Sequence, residues 1–221
     1  MWQLKDGLWQ EEKFPFFNAV TTRASGNMRD PGIRRQFCGS RGMEYGSLVT
    51  AQQVHGNTVA VVNDRHRGGE VHGADGLITA SSGLTLAIFT ADCLPVFLGN
   101  VQQGVAGVVH AGWRGLANGI IAAALEVFRS HFGVQPENVT ALIGPHIQKC
   151  CYEVGDELRD VFKLAPGETH LDLDAAAVNQ LKALGVRQIS SNGHCTAHET
   201  DLFFSYRREK TAGRIMSLVR I

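Results

Sequence analysis

Val105-Ala106-Gly107-Val108-Val109-His110-Ala111-Gly112-Trp113-Arg114-Gly115 carries the chain from an apolar run through a histidine and a glycine-flanked turn. Val105 to Val109 is rich in valine and reads as a buried strand. From Gly115 to Arg129 the apolar residues Leu116, Ile120, Ile121, Ala124, Leu125 and Phe128 recur at about 3.6-residue spacing, which predicts one helix with a single face on a sheet. A strand that feeds a helix this way is an α/β unit. It places His110 at the carboxyl end of a strand, next to a helix amino terminus, where ligands of α/β proteins commonly bind.

Working outward, β-favouring runs precede this unit at short intervals: Asn18 to Thr22, Leu48 to Gln53, Thr58 to Val62, Leu77 to Thr79, Leu84 to Phe89 and Leu94 to Leu98. Turn formers such as HG, GADG, SSG, LGN and QQG separate them. Residues 1 to 17 read as a leading segment, and Ala24 to Gly46 as loop with a short helix. Downstream the pattern predicts strands at Val139 to Ile143, Arg187 to Ser190 and Ile215 to Ile221. Helices are predicted at Asp156 to Leu164 and Asp174 to Leu184, the latter with Asp174 as N-cap and Gly185 as C-cap. With strands first, helices later, no repeat and no low-complexity linker, residues 1–221 read as one α/β (α+β) domain, a mixed β-sheet flanked by helices.

The chain has 221 residues, 44% of them hydrophobic and 19% charged, an ordinary globular composition with material for a substantial core. Lys plus Arg and Asp plus Glu each number 21, so there is no net field to attract a polyanion, and nucleic acid is not an expected partner. The amino terminus lacks an uninterrupted apolar stretch, and no run approaches the ~20 residues a membrane helix needs. The expected location is the cytoplasm, with no membrane partner. The five cysteines are an odd number with no C-x-x-C pair, which fits reduced thiols rather than a disulfide framework. Cys150 and Cys151 read as packing residues.

Three segments carry candidate chemistry. In Gln52-Gln53-Val54-His55-Gly56 a strand ends in a histidine beside a residue without a side chain. In Phe89-Thr90-Ala91-Asp92-Cys93-Leu94-Pro95-Val96 a carboxylate and a thiol sit between two apolar strands. The third supplies His110. A lone histidine at a strand end is more often a hydrogen-bonded structural residue, but three such placements in one chain point to a shared site. Imidazole and thiolate are ligands that zinc prefers, and three protein ligands leave a fourth position open, as catalytic zinc requires. Cys93 could instead be a metal-free nucleophile with His110 as base, or the chain could be a binding module. Asp75 and Asp92 are candidate proton carriers, with a turn-forming or ligand-orienting role as the rival reading. Arg114, Arg23 and Arg207 are the candidate anion clamps, each with a surface ion pair as its alternative. Trp113 reads as core or pocket wall, and Arg207 to Lys210 as a solvated basic face.

The segments QQVHG, HGADGLIT, FTADCLPV, VVHAGWRGL, IGPHIQKCCYEVG and CTAHETDLFFSYRREKTAGR together resemble the bacterial laccase-domain or polyphenol-oxidase family, also described as the YfiH family of purine nucleoside phosphorylases. The resemblance spans about Asn18 to Ile221. It implies a single α/β domain related to the cysteine-hydrolase-like toxin fold, a monomer or weak homodimer, with zinc held by the His of QVHG, the Cys of TADC and the His of HAGWRG. Those are His55, Cys93 and His110. It also implies phosphorolysis of adenosine, inosine and methylthioadenosine with phosphate as co-substrate, and deamination of adenosine. Copper-dependent phenol oxidation and hydrolysis of wrongly built peptidoglycan precursors are the alternatives attached to the family. Nine histidines with no His-x-His do not supply the paired ligands of a true multicopper oxidase, although copper could occupy an N/S site opportunistically. Two departures stand out. The Ala24 to Gly46 loop is short, with only Arg34 or Arg35 left to serve as its arginine, and His146 replaces a small residue and reads as peripheral.

Overall fold

A computed structural model describes residues 2–221 and shows an α/β body with two mixed sheets. The first is formed by β1 (Trp2–Lys5), β2 (Leu8–Glu11), β3 (Phe17–Thr21), β4 (Leu48–Gln52), β6 (Glu70–His72), β8 (Thr85–Thr90) and β13 (Ile215–Arg220). Its order is β1-β2-β3-β13-β8-β4-β6. The second is formed by β5 (Val59–Val61), β7 (Gly76–Thr79), β9 (Leu94–Asn100), β10 (Val105–Ala111), β11 (Thr140–Ile143) and β12 (Gln188–Ser191), in the order β12-β11-β9-β10-β7-β5. The helices are α1 (Pro31–Ser40), α2 (Trp113–Ala117), α3 (Ile120–Phe132), α4 (Asp156–Phe162), α5 (Leu173–Ala183) and α6 (Tyr206–Glu209).

Strand alternation makes this a four-layer stack. In β8, Leu86 and Ile88 face the second sheet while Ala87 and Phe89 face α1. In β10, Ala106 and Val108 face the first sheet while Val105 and Val109 face α3. Successive side chains of a strand point to opposite faces, so a strand buried on both sides is apolar throughout. This explains why the runs 86–89 and 105–109 show no polar positions. Gly107 lets β7 and β10 approach, since a Cβ there would lie 2.7 Å from an Ile78 side-chain carbon.

Several expectations are corrected. There are two packed sheets rather than one, because the pattern of each strand is silent about which neighbour it pairs with. The leading segment forms the β1–β2 hairpin, and β6 adds a strand at residues 70–72. The predicted helix over Gly115 to Arg129 is two helices, broken where Gly119 adopts the left-handed conformation at φ 79°. Asp30 makes α1 longer than the short helix expected: its carboxylate accepts from the N–H groups of Gly32 (2.7 Å) and Ile33 (3.1 Å), with Pro31 in the first turn. Asp172, not Asp174, caps α5 by accepting from Ala175 N at 2.8 Å, while Asp174 accepts from the Ser191 hydroxyl at 2.6 Å. Leu184 is the C-cap residue and Gly185, at φ 97°, follows it. No helix among the described residues is long and apolar enough to cross a membrane.

Candidate active site

The chain crosses from the first sheet to the second twice near one place. One crossing, residues 53–58, leads from β4 to β5 and carries His55; the other, residues 91–93, leads from β8 to β9 and carries Cys93. The register of the second sheet completes the cluster. β9 and β10 pair Leu94 with Ala111 and Pro95 with His110, and β7 pairs Gly76 with Val109. Cys93 therefore lies opposite Gly112, and Asp75 beside His110.

Ligand atoms of His55, Cys93 and His110 all lie within 4.8 Å of one another. The His55 and His110 rings meet edge to face, with centroids 4.8 Å apart. Gly112 makes room for the sulfur, because a Cβ there would stand 2.9 Å from Cys93 Sγ and 3.6 Å from His55 Cδ2. His110 is buried, Cys93 half-buried and His55 exposed, so the cluster is open on one side.

Asp75 organises the cluster from behind. Its carboxylate, fully buried, accepts from the N–H groups of Val54 (3.2 Å), His55 (2.9 Å) and Gly56 (2.8 Å), and from His110 Nδ1 at 2.8 Å. His55 has a left-handed backbone at φ 61°, which costs on the order of 1–2 kcal/mol for a residue with a Cβ. Each hydrogen bond to a charged acceptor contributes about 1.5–3 kcal/mol, so three converging N–H groups more than offset that strain. Burial raises the Asp75 pKa, but the His110 hydrogen bond and the Gly56 amide outweigh it and hold the carboxyl below its usual range. Asp75 stays ionised, does not line the cavity described below, and is placed to orient rather than to carry protons to a substrate.

The same electrostatics set the states of Cys93 and His110. Burial disfavours the Cys93 thiolate, but the His110 charge and hydrogen bonds from His110 and His55 bring the thiol down to about 6. Burial likewise disfavours the His110 cation, yet the Cys93 charge and Asp75 raise it to about 9. In the metal-free protein the two form a thiolate–imidazolium pair at neutral pH. Asp92, at φ 89°, is fixed from three directions: Oδ1 accepts from the Thr196 hydroxyl (2.7 Å), Oδ2 from Arg207 N (2.6 Å), and its carbonyl from Ile147 N (2.9 Å).

The cluster forms one wall of a cavity of about 540 Å³. Asp92, Arg114, Arg207 and Lys210 line it, together with two cationic residues that the sequence reading did not single out, Arg29 and Arg214. Phe89, Trp113, Tyr152 and Tyr206 supply aromatic faces. Arg114 stacks on Trp113 at 4.4 Å and has no carboxylate partner among the described residues. Arg207 lies over Tyr152 at 5.1 Å and donates to the Glu153 carbonyl at 2.8 Å. Arg207 and Lys210 are thus cavity residues and not simply a solvated face. Arg23 is a correction: it pairs with Glu209, stacks on Phe204 at 4.6 Å and lies outside the cavity lining. From the shortened 24–46 stretch it is Arg29, not Arg34 or Arg35, that lines this cavity. Arg34 stacks on Phe89 and Arg35 on Tyr45. His146 is fully buried and donates from Nδ1 to the Gly144 carbonyl at 2.9 Å, outside the cavity lining. A local signal for Arg29, Tyr206 and Arg214 hardly exists, since they reach the cavity from distant, aperiodic stretches.

Residues 23–221 match the protein family described as multi-copper polyphenol oxidoreductase laccase. Among characterised relatives, a purine nucleoside phosphorylase of Corynebacterium glutamicum is 38% identical over 188 residues, covering 80% of this chain and 76% of the relative. An adenosine deaminase from an unknown prokaryotic organism is 35% identical, covering 76% and 72% respectively. The crystal structure of YlmD from Geobacillus stearothermophilus superimposes with a TM-score of 0.93 at 30% identity, covering 99% of this chain and 98% of that one.

Proposed function

The chain belongs to the family described as multi-copper polyphenol oxidoreductase laccase, and from that membership and the cavity we propose that it is a purine nucleoside enzyme, cleaving adenosine, inosine or methylthioadenosine with phosphate and deaminating adenosine. The observation that carries this reading is the conjunction of an open His55–Cys93–His110 cluster with a cavity lined by four aromatic rings and five cationic side chains. Aromatic faces suit a purine base, and guanidinium groups suit phosphate oxygens. The names of the relatives, purine nucleoside phosphorylase and adenosine deaminase, support the same substrate class.

The donor set fits a zinc ion. Two imidazoles and one thiolate are the right chemistry, and the Asp75 bond to His110 Nδ1 leaves Nε2 free to face the cluster. Bound there, zinc would supply Lewis-acid polarisation and favour ionisation of water. The rest falls to the chain itself. Arg114 and Arg207 hold and orient the anion, and Trp113 and Tyr152 flank the base. In phosphorolysis a phosphate oxygen bonds to C1′ as the C1′–N9 bond breaks, and the base leaves with the bonding pair and takes up a proton. Tyr152, pushed up to about 12 by burial and by the Cys93 charge, keeps its phenol proton at neutral pH and can donate a hydrogen bond to the base.

A second reading uses the same residues without metal. Asp75, His110 and Cys93 make an acid–base–thiol series, with the thiol at about 6, which suits a cysteine hydrolase acting on an amide such as a peptidoglycan precursor.

The deciding experiment is the product profile from adenosine, with and without phosphate, for zinc-loaded protein and His55→Ala. Adenine and ribose 1-phosphate only with phosphate, or inosine without it, and loss of both in the variant, is expected. No purine turnover under any condition sinks the nucleoside reading and leaves the hydrolase.

A further inference from the structure

A second sulfur cluster lies behind the cavity wall. Cys150 Sγ is 3.5 Å from Cys151 Sγ and 3.9 Å from Cys195 Sγ, and all three sulfurs fall within 4.8 Å of one another. None is in a disulfide. Cys150 and Cys151 stand on a single 3-10 turn, Lys149–Cys151, while Cys195 arrives from a strand-like segment bridged to His146. Gln148 N donates to Cys195 Sγ at 3.4 Å, which fixes that sulfur toward the turn. Cys150 is exposed and Cys195 buried, so the group is anchored on one side and open on the other; Cys150 is not the packing residue that the sequence suggests.

From these positions we infer that Cys150, Cys151 and Cys195 form a three-thiolate site for a soft monovalent metal ion of the copper(I) class, separate from the His55–Cys93–His110 cluster. A metal–sulfur bond of ~2.3 Å in a planar three-coordinate site sets sulfurs ~4 Å apart, within the range seen here. No fourth His, Cys, Asp or Glu joins the group among the described residues. A structural zinc wants four protein ligands, whereas copper(I), a soft ion that thiolates also favour, is satisfied by three. On binding, each thiol loses its proton to solvent and no electron moves.

The site has a direct structural consequence. Ile147 and Tyr152, which flank the turn, line the active cavity, and Thr196, next to Cys195, holds Asp92. An ion bridging the turn to Cys195 ties together the two segments that build that wall, so it stabilises the folded chain by linkage.

The test is an anaerobic titration with copper(I) against a chromophoric copper(I) chelator, on the wild type, Cys150→Ser, Cys151→Ser, His55→Ala, and His55→Ala combined with each serine substitution. The wild type and His55→Ala should each hold one equivalent more than their counterparts carrying Cys150→Ser or Cys151→Ser. X-ray absorption of that equivalent should show three sulfurs only. Because Cys150 is exposed, Cys150→Ser keeps the fold, which circular dichroism verifies. Equal copper(I) stoichiometry in the wild type and both serine variants overturns the proposal, as does a nitrogen-containing or four-coordinate shell.

Discussion

His110 Nδ1 lies 2.8 Å from Asp75 Oδ1, and both side chains are withdrawn from solvent. The same carboxylate receives the three consecutive N–H groups of Val54, His55 and Gly56, so one buried charge aims two histidines that are 55 residues apart in the chain.

Asp75→Asn should therefore cost more than a lost surface contact. An amide has one acceptor oxygen where the carboxylate has two, and it leaves His110 without its anionic partner. A loss of about 3 kcal/mol in denaturant unfolding is expected, the scale for breaking a buried pair. Zinc affinity, measured against a competing chelator, should fall about 10- to 100-fold. Wild-type affinity in the variant would show that Asp75 does not orient the ligands.

Cys93 should be unusually reactive once metal is removed. With its thiol at about 6, below the ordinary value, the thiolate is the major form at neutral pH and is lost only as pH falls through about 6. Iodoacetamide labelling followed by peptide mass spectrometry should give a half-maximal rate near that pH. Zinc should protect the residue, and His110→Ala should move the midpoint upward. A midpoint near that of a free thiol contradicts the ion pair.

Gly112→Ala isolates the steric demand of the cluster. The backbone there, φ −72° and ψ 171°, accepts alanine without strain, but the new Cβ would stand 2.9 Å from Cys93 Sγ. At least a tenfold loss of zinc affinity with an unchanged circular dichroism spectrum is expected. Full affinity would mean that the sulfur can move aside at little cost.

The arginines should separate in kinetics. Arg114→Ala and Arg207→Ala are expected to raise the KM for phosphate about 10- to 100-fold, equivalent to about 1.4–2.8 kcal/mol. Arg23→Ala should leave KM unchanged and alter stability by less than about 1 kcal/mol, since its partly exposed pair with Glu209 is off the cavity. A phosphate effect from Arg23→Ala alone would reverse that assignment.

The sequence by itself determined the central strands and singled out the three residues of the central cluster. Val105 to Val109 could be read as buried because both faces of β10 are covered, and His55, Cys93 and His110 stood out because each follows an apolar strand at a glycine or a turn. Local periodicity carries that information. It could not show that Gly119 divides the helix, since an isolated glycine in a helical pattern is tolerated as often as it breaks one, nor that residues 2–11 form a hairpin at a sheet edge. Only the tertiary structure decided that the strands divide into two sheets, that Asp75 lies behind His110, that Arg29 and Arg214 face the cavity while Arg23 does not, and that Cys195 meets Cys150. These depend on strand register and on pairings between residues as distant in the chain as Phe17 and Arg220, and short-range patterns of burial carry no record of which distant segments become neighbours.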